Sequence, residues 1–591
     1  MSSTATKHTK LGQLASTAIC GNDIMSSVLY VSGIAIGVSG VYAPFVLIFI
    51  GIVLFIYKGV YREVVESLPV NGGAYNALLN GTTKKTSAIA GVLTILSYVA
   101  TCVISGKSAV EYLNTLLKME HWQVGPFAIS PVLALTSVVL VFFAFLVISG
   151  VKDSAKVALG IFLTHLMTLV AFVVLGGIYL LGHSNQFQFN LDFTKELVDA
   201  KGLLIVLFLG FSASLLGVSG FESSANFVEE QQKGVFKKTL RNMLIGVIIF
   251  NPLVAIIALN LNTVPEITAN KDFLLAEEAK IIGGNIFQYI LVIDAFLVLC
   301  GAVLTSFVGV SGLVNRMSLD EVLPLWFSKE NKKGSFPRII LTFLLLCVSI
   351  LFATQGDLLA LGGVYAISFL SVMSMFAIGN VILKINRPDL KRYYNFPMFL
   401  VLIAAFATIT GVLGNILLDG KNLIFFLTYF IPFYIFTSIF MARDRVAVIL
   451  HKFSKKFPAF KGLTERFFNH VTKGKYIFFI HHPSRLYDAL KYIDQNETGR
   501  TVTIIHCKDK DDEINEQTWK ELKQMMPTLP KAGVLPHLNV TLTQHEGKFG
   551  PEIIDEVAKK FGVMKNRIFI GSIHEHHNFD YDELGGVRII I

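Results

Sequence analysis

Two short polar runs carry the chemistry of this sequence. The first, Gly21-Asn-Asp-Ile-Met-Ser-Ser-Val-Leu-Tyr30, lies inside an apolar stretch, 14–38, long enough to cross a bilayer. Its centre holds Asn22, Asp23, Ser26 and Ser27. An ionisable side chain at membrane depth is costly and marks a substrate or ion pathway. The Gly and Ser beside it predict an unwound helix, whose freed carbonyls and amides coordinate an ion or a small zwitterion. The plainer reading has Asp23 capping a helix near a membrane face. The second run, Leu216-Gly-Val-Ser-Gly-Phe-Glu-Ser-Ser224, repeats the pattern in the sixth apolar span. Gly217 and Gly220 permit unwinding there, and Ser219 and Glu222 place polar groups at depth.

Both runs need a membrane scaffold, and the composition supplies one. Of 591 residues, 53% are hydrophobic and 16% charged, which describes a polytopic α-helical membrane protein. Roughly twelve apolar spans lie between 14 and 442, with no cleavable signal peptide ahead of them. Lys and Arg fall about three to one on the side that holds both termini, which predicts a multi-pass protein with both ends cytoplasmic. The same bias accounts for the net charge of +9 without nucleic acid. Interrupted segments one and six, five spans apart, predict two inverted five-helix repeats with a site between them, and spans eleven and twelve peripheral. Cys20, Cys102, Cys300, Cys347 and Cys507 show no metal or disulfide spacing.

Other charged residues lie within the spans. Lys107 and Glu111 share one helix face in span three and predict a structural ion pair or an outer gate, which Asp294 of span eight could join. His165 of span five is either a hydrogen-bonded core histidine or a proton carrier, being the side chain that titrates nearest neutral pH.

The chain divides into a tail, 1–13, a membrane domain, 14–442, a basic juxtamembrane linker, 443–474, and an α/β domain, 475–591. The linker suits a helix lying on the anionic inner leaflet. The last segment alternates strand-like and helix-like runs, compatible with a parallel sheet, and ends in a strand-like Arg588–Ile591. It lacks P-loop and Rossmann glycine patterns, and its His574-Glu-His-His577 tract reads as a solvated loop.

Several motifs resemble the amino acid-polyamine-cation (APC) superfamily. Pro69-Val-Asn-Gly-Gly-Ala-Tyr75 resembles its re-entrant motif; Gly150-Val-Lys-Asp-Ser-Ala-Lys156 and Arg316-Met-Ser-Leu-Asp-Glu-Val-Leu-Pro324 also match. The resemblance covers about residues 11–445 and implies the LeuT-like 5+5 inverted-repeat core and alternating access. Within the superfamily, Gly21-x-Asp-Ile-x-Ser-Ser-x-Leu-Tyr30 is similar to the first-span motif of the KUP and KimA-type potassium importers. That similarity implies an ion path through Asp23, Tyr30, Glu222 and Ser219, with Tyr98 and Thr101 from Ser97-Tyr-Val-Ala-Thr101. A C-terminal α/β domain is similar to the tail of the KimA type, which implies a homodimer and nucleotide regulation. Two positions depart from the potassium pattern: Ser97 stands where an acidic residue is expected, and Tyr365 lies three residues from the expected tyrosine position at Gly362.

Gly217-Val-Ser-Gly-Phe-Glu-Ser223 is also similar to the sixth span of amino-acid permeases, and His165 falls where several of these have a lysine. In that reading Ser26, Ser27 and Phe221 line the pocket. Asp23 would repel a substrate carboxylate, which favours a cation. The expectation is therefore proton-coupled potassium import, with the proton on Glu222 or His165. Amino-acid import and a transporter-like membrane sensor are the alternatives. No nucleophile–base set, metal site or cofactor is indicated, so the chain does not read as an enzyme. A bacterial inner membrane or a plasma membrane is the expected location.

Overall fold

The computed structural model describes residues 10–119, 122–124, 127–150, 155–183, 186–226, 228–388, 390–454, 474–480, 483–497, 499, 501–508, 513–527, 538–571, 579, 584 and 586–589. The first part of the chain forms helices α1 (Gln13–Ser26), α2 (Val28–Ser39), α3 (Ala43–Ser67), α4 (Gly73–Gly81) and α5 (Lys84–Leu117). A hairpin, β1 (Trp122–Val124) and β2 (Phe127–Ile129), follows. Next come α6 (Pro131–Ile148), α7 (Ala155–Gly182), α8 (Phe187–Lys201), α9 (Leu203–Ser214), α10 (Phe236–Leu261) and α11 (Val264–Ala269). The bundle ends with α12 (Leu274–Leu319), α13 (Pro337–Ala353), α14 (Leu358–Asn386), α15 (Met398–Leu418) and α16 (Gly420–Met441).

Among the described residues, ten helical runs are long and apolar enough to cross a membrane. One of them, Gln13–Ser67, spans 55 residues and turns at Gly40, where φ is 55°. Another, Leu274–Leu319, bends at Gly284, where φ is 69°. Proline opens α3, α6 and α13, where a missing amide costs nothing. A Thr263–Glu266 capping box opens α11. Within the spans, Thr94, Ser311 and Ser368 donate to carbonyls one turn earlier. These hydroxyls therefore need no partner from lipid. Helix α5 is almost wholly buried at the centre, and α16 is mostly exposed, with Ile424, Ile435 and Ile439 turned outward as a lipid-facing helix requires.

The two interruptions differ. The predicted unwinding of the first span does not occur. It is helical throughout, with Ser27 itself in right-handed geometry and only a local tightening, Ser27 N to Ile24 O at 3.3 Å. Gly21 serves close packing instead, since a Cβ there would lie 2.5 Å from the Phe162 ring. The sixth span does break. Helix α9 ends at Ser214, a 3-10 turn runs to Val218, Ser219 is extended, Gly220 has φ 89°, and a second 3-10 turn covers Glu222–Asn226.

Helix α17 (Arg443–Ser454) leaves the bundle, and residues 455–473 of the expected linker lie outside the described residues. The separate C-terminal domain contains β3 (Lys475–Phe479), α18 (Leu486–Asn496), β4 (Thr501–Lys508), α19 (Glu513–Met525), β5 (Asn539–Glu546), α20 (Pro551–Phe561), β6 (Ile568–Ile570) and β7 (Arg588–Ile589). Its five strands are parallel, in the order β5-β4-β3-β6-β7. One face of β3, with Tyr476 and Phe478, packs on α18 through Leu486 and Leu490; the other, with Ile477 and Phe479, packs on α20 through Ile554 and Val557. A parallel sheet covered on both faces has this apolar strand pattern. The expected terminal strand is present at Arg588–Ile589; the His574–His577 tract lies outside the described residues.

The domain meets the bundle at the amino ends of its strands. Arg567, just before β6, pairs with Glu321 at 2.7 Å, and Arg443 pairs with the same carboxylate. Arg443 is thus committed to protein rather than to a lipid surface. Arg588 holds Glu497 with both nitrogens, at 2.7 and 3.1 Å, and Glu497 also takes Lys84 of α5 at 2.7 Å. Asn566 donates to the Leu319 carbonyl at 2.7 Å. Burial opposes the charge on Glu321, but Arg588, Arg567, Arg443 and Lys84 outweigh it and hold its carboxyl down to about 2 from the usual 4.5. A depressed carboxylate contributes fully above its ordinary value and loses that contribution as pH falls through the depressed one. Docking should therefore be insensitive to pH above 4.5 and weaken between 4.5 and about 2. Energy transfer between labels on α20 and α13 should fall in that window and nowhere above it.

Candidate functional site

The centre of the bundle is where the broken sixth span crosses the first. Gly220 lies directly against Asp23, and a Cβ on it would sit 2.8 Å from the Asp23 carboxyl carbon and 2.9 Å from the Ile24 amide nitrogen. With φ at 89°, the position suits glycine on both counts. Ser223 donates to Asp23 Oδ2 at 2.9 Å, while Asp23 Oδ1 has no protein partner. Glu222, next along the break, is near enough to feel the Asp23 charge, and its Oε2 is also without a partner. Both carboxylates are buried, at 5% and 6% exposure, where an unmet hydrogen bond is costly. Among the described residues, no Lys, Arg or His bonds to either group.

The other sequence-derived residues distribute around this pair. Ser26 and Ser27 donate to their own helix, to Asp23 O at 2.7 Å and Ile24 O at 2.6 Å; the Ser27 hydroxyl also reaches Gly217 O, at 3.1 Å, across the crossing. Their hydroxyl protons are spent, so toward a ligand they are acceptors only. Tyr30 and Tyr365 are both buried and both approach Ser219 with their hydroxyls. Tyr98 accepts from Asn226 Nδ2 at 2.7 Å, and Thr101 bonds back to Ser97 O at 2.9 Å. Ser97 itself faces Glu222. Phe221 is fully buried, edge-on to Tyr61 at 5.7 Å.

A second cluster sits beside the first. His165 of α7 places Nδ1 at 2.7 Å from Asp294 Oδ2 and Nε2 at 3.3 Å from the Met25 carbonyl. Asp294 therefore does not join Lys107 and Glu111. Asp272 takes the place foreseen for it. Lys107 bonds both Glu111 and Asp272 at 3.2 Å, at the far end of the bundle from the α/β domain. These three line a cavity of about 270 Å³, together with Lys271, Gln355 and Asp357.

At the domain-bearing end, the re-entrant motif closes the opposite approach. Tyr75 donates to Asp320 Oδ2 at 3.0 Å, and Asn71 bonds Glu229 and Glu230 beyond the sixth-span break. The start of α1 joins the same loop, Leu11 N to Glu230 O at 2.7 Å.

A family profile described as amino acid permease matches residues 11–441. The chain belongs to that family. That family lies within the APC superfamily, and the membrane-length helices make the chain a multi-pass membrane protein of it. The chain is also 23% identical over 371 residues to the potassium transporter KimA of Bacillus subtilis (strain 168), a stretch covering 60% of this chain and 59% of the relative. It thus spans less than two thirds of that relative's length.

Ser223, Asn226 and Asp272 are the residues that motif reading passed over. The polar run Glu222-Ser-Ser-Ala-Asn226 signalled the first two; nothing local in the sequence marks Asp272 as a partner of Lys107. Gly220→Ala should cost about 1–3 kcal/mol through backbone strain alone. The purified variant should therefore melt several degrees below its parent, and an unchanged melting temperature would refute the packing described for Asp23.

Proposed function

We propose that this permease-family protein is a secondary transporter importing a small monovalent cation, most simply potassium, in exchange with or alongside protons. The observation that carries the reading is the buried pair Asp23 and Glu222, each with an oxygen free of protein partners and, among the described residues, with no basic side chain bonded to either. The free atoms of the pair, Asp23 Oδ1 and Glu222 Oε2, are oxygens, and oxygen ligands suit a hard cation stripped of water. The potassium named for the similar KimA agrees with this chemistry.

The scaffold is read as twelve crossings. The 55-residue run is twice the length one crossing needs, and the shorter Pro337–Ala353 is counted as a span. Spans one to five and six to ten form the inverted repeats, with both termini and the α/β domain cytoplasmic. The cluster of Lys107, Glu111 and Asp272 is then the outer gate. The sheet's switch point beside β3 is the place for a regulatory ligand such as a nucleotide, and a dimer remains a proposal drawn from resemblance.

His165 and Asp294 are proposed as the proton relay. Both ring nitrogens face oxygens, the Asp294 carboxyl and the Met25 carbonyl, so the cluster joins α1, α7 and α12, and the proton proposed to move is the one between His165 and Asp294. Asp294→Asn should transport with a flat dependence on the pH gradient, where the parent is steep; a parent-like profile in that variant counts against the relay.

Expression in a bacterial strain lacking its potassium importers should restore growth at micromolar potassium. Asp23→Asn and Glu222→Gln, though present in the membrane, should not. Full rescue by Asp23→Asn would remove the cation reading. The family's own description supports a second reading, amino-acid import. Saturable uptake of a labelled amino acid, lost on Phe221→Ala, would establish it in place of the first.

A further inference from the structure

The loop that ends α12 connects the α/β domain to the transport site. Its Leu319, Asp320 and Glu321 each bond to the domain: Leu319 O to Asn566, Asp320 O to Arg588 at 3.4 Å, and Glu321 to Arg567. Glu321 also has φ 58°, a conformation a glutamate adopts only where its surroundings compel it. The other side of the same loop faces the site. Asp320 holds Tyr75 of α4, the Gly73 end of α4 packs on Asn226, and Asn226 donates to Tyr98. Every step in this series is a direct contact.

The charges at the junction are arranged for release as well as for grip. Lys84, Glu497 and Arg588 are buried to within a few per cent, and the Lys84–Glu497 pair joins bundle to domain, so lifting the domain parts it and exposes it to water. Rehydration of that kind offsets much of the lost attraction, so a buried ion-pair lattice is a weak net glue with an exacting geometry. Such energetics suit a reversible latch better than a permanent weld.

We propose that the docked α/β domain is a brake: by holding Asp320 and Glu321 it keeps α4 seated beneath the transport site, and that side of the transporter opens when the latch of Arg567 and Arg588 lets go. The inference rests on the transport reading for what is braked, but its test is read without any substrate. In a full-length Cys507→Ser background the remaining native cysteines are buried, and Ala74→Cys places a thiol on α4 at a site only 4% exposed. Labelling of that thiol by a membrane-impermeant maleimide then times the opening of α4.

Arg567→Ala should raise the labelling rate at least about tenfold, because it leaves buried Glu321 short of a partner. Arg567→Lys, which keeps the charge, should label at close to the parent rate. A parent-like rate in Arg567→Ala, in protein that elutes as a single folded species, overturns the brake. Absence of potassium uptake would overturn the cation reading and leave this labelling result standing.

Discussion

Inside a hydrocarbon layer an unpartnered backbone amide or carbonyl costs several kcal/mol, so a helix can break there only where protein covers the break. The sixth span breaks at Ser219–Gly220, and the rest of the molecule is arranged to make that tolerable. The first span crosses it so closely that Gly220 has no room for a methyl group. Asn251 donates to the freed, buried Gly217 carbonyl at 3.4 Å, and the Ser27 hydroxyl, bonded first to Ile24 O, lies 3.1 Å from it. Helix α5 brings Ser97 and Tyr98 to the far side, and Gly309 of α12 lets the Tyr98 ring lie flat against it. The Asp23 and Glu222 carboxylates are then confined at the crossing of the two spans.

The parts legible in sequence are those written in local pattern. Apolar runs revealed the spans, and Leu216–Ser224 revealed the sixth-span break, because paired glycines amid polar residues have few other uses at depth. The same logic misread Gly21. A glycine beside polar residues can open a helix or admit a neighbour, and only the tertiary partner, Phe162, decides which. Asp294 was misplaced, and Asp272 missed, for a similar reason. Spacing along a helix gives a face, whereas the ion pairs Asp294–His165 and Asp272–Lys107 join residues 129 and 165 positions apart. No periodicity within one span reports on that.

The α/β domain shows the same division. Its alternating strands and helices, and the apolar character of β3 on both faces, could be read directly. Its attachment could not. Arg443 lies in a run of basic residues that reads as a lipid-facing surface, yet its guanidinium is bonded to Glu321. A positive charge near a membrane has two available partners, phosphate headgroups and buried carboxylates, and composition does not choose between them.

The lattice joining Lys84 to Glu497 and Glu497 to Arg588 also has a history in time. Lys84 emerges early in synthesis, its carboxylate partner more than four hundred residues later, and the arginine that completes the set later still. At ordinary elongation rates of about 5–20 residues per second, the lysine waits on the order of 20 to 100 s for both. Throughout that interval the end of α5 cannot be desolvated as it is in the finished protein. The membrane bundle must therefore mature with this corner still wet, and its drying marks the point at which Arg588 has been made and both domains have folded.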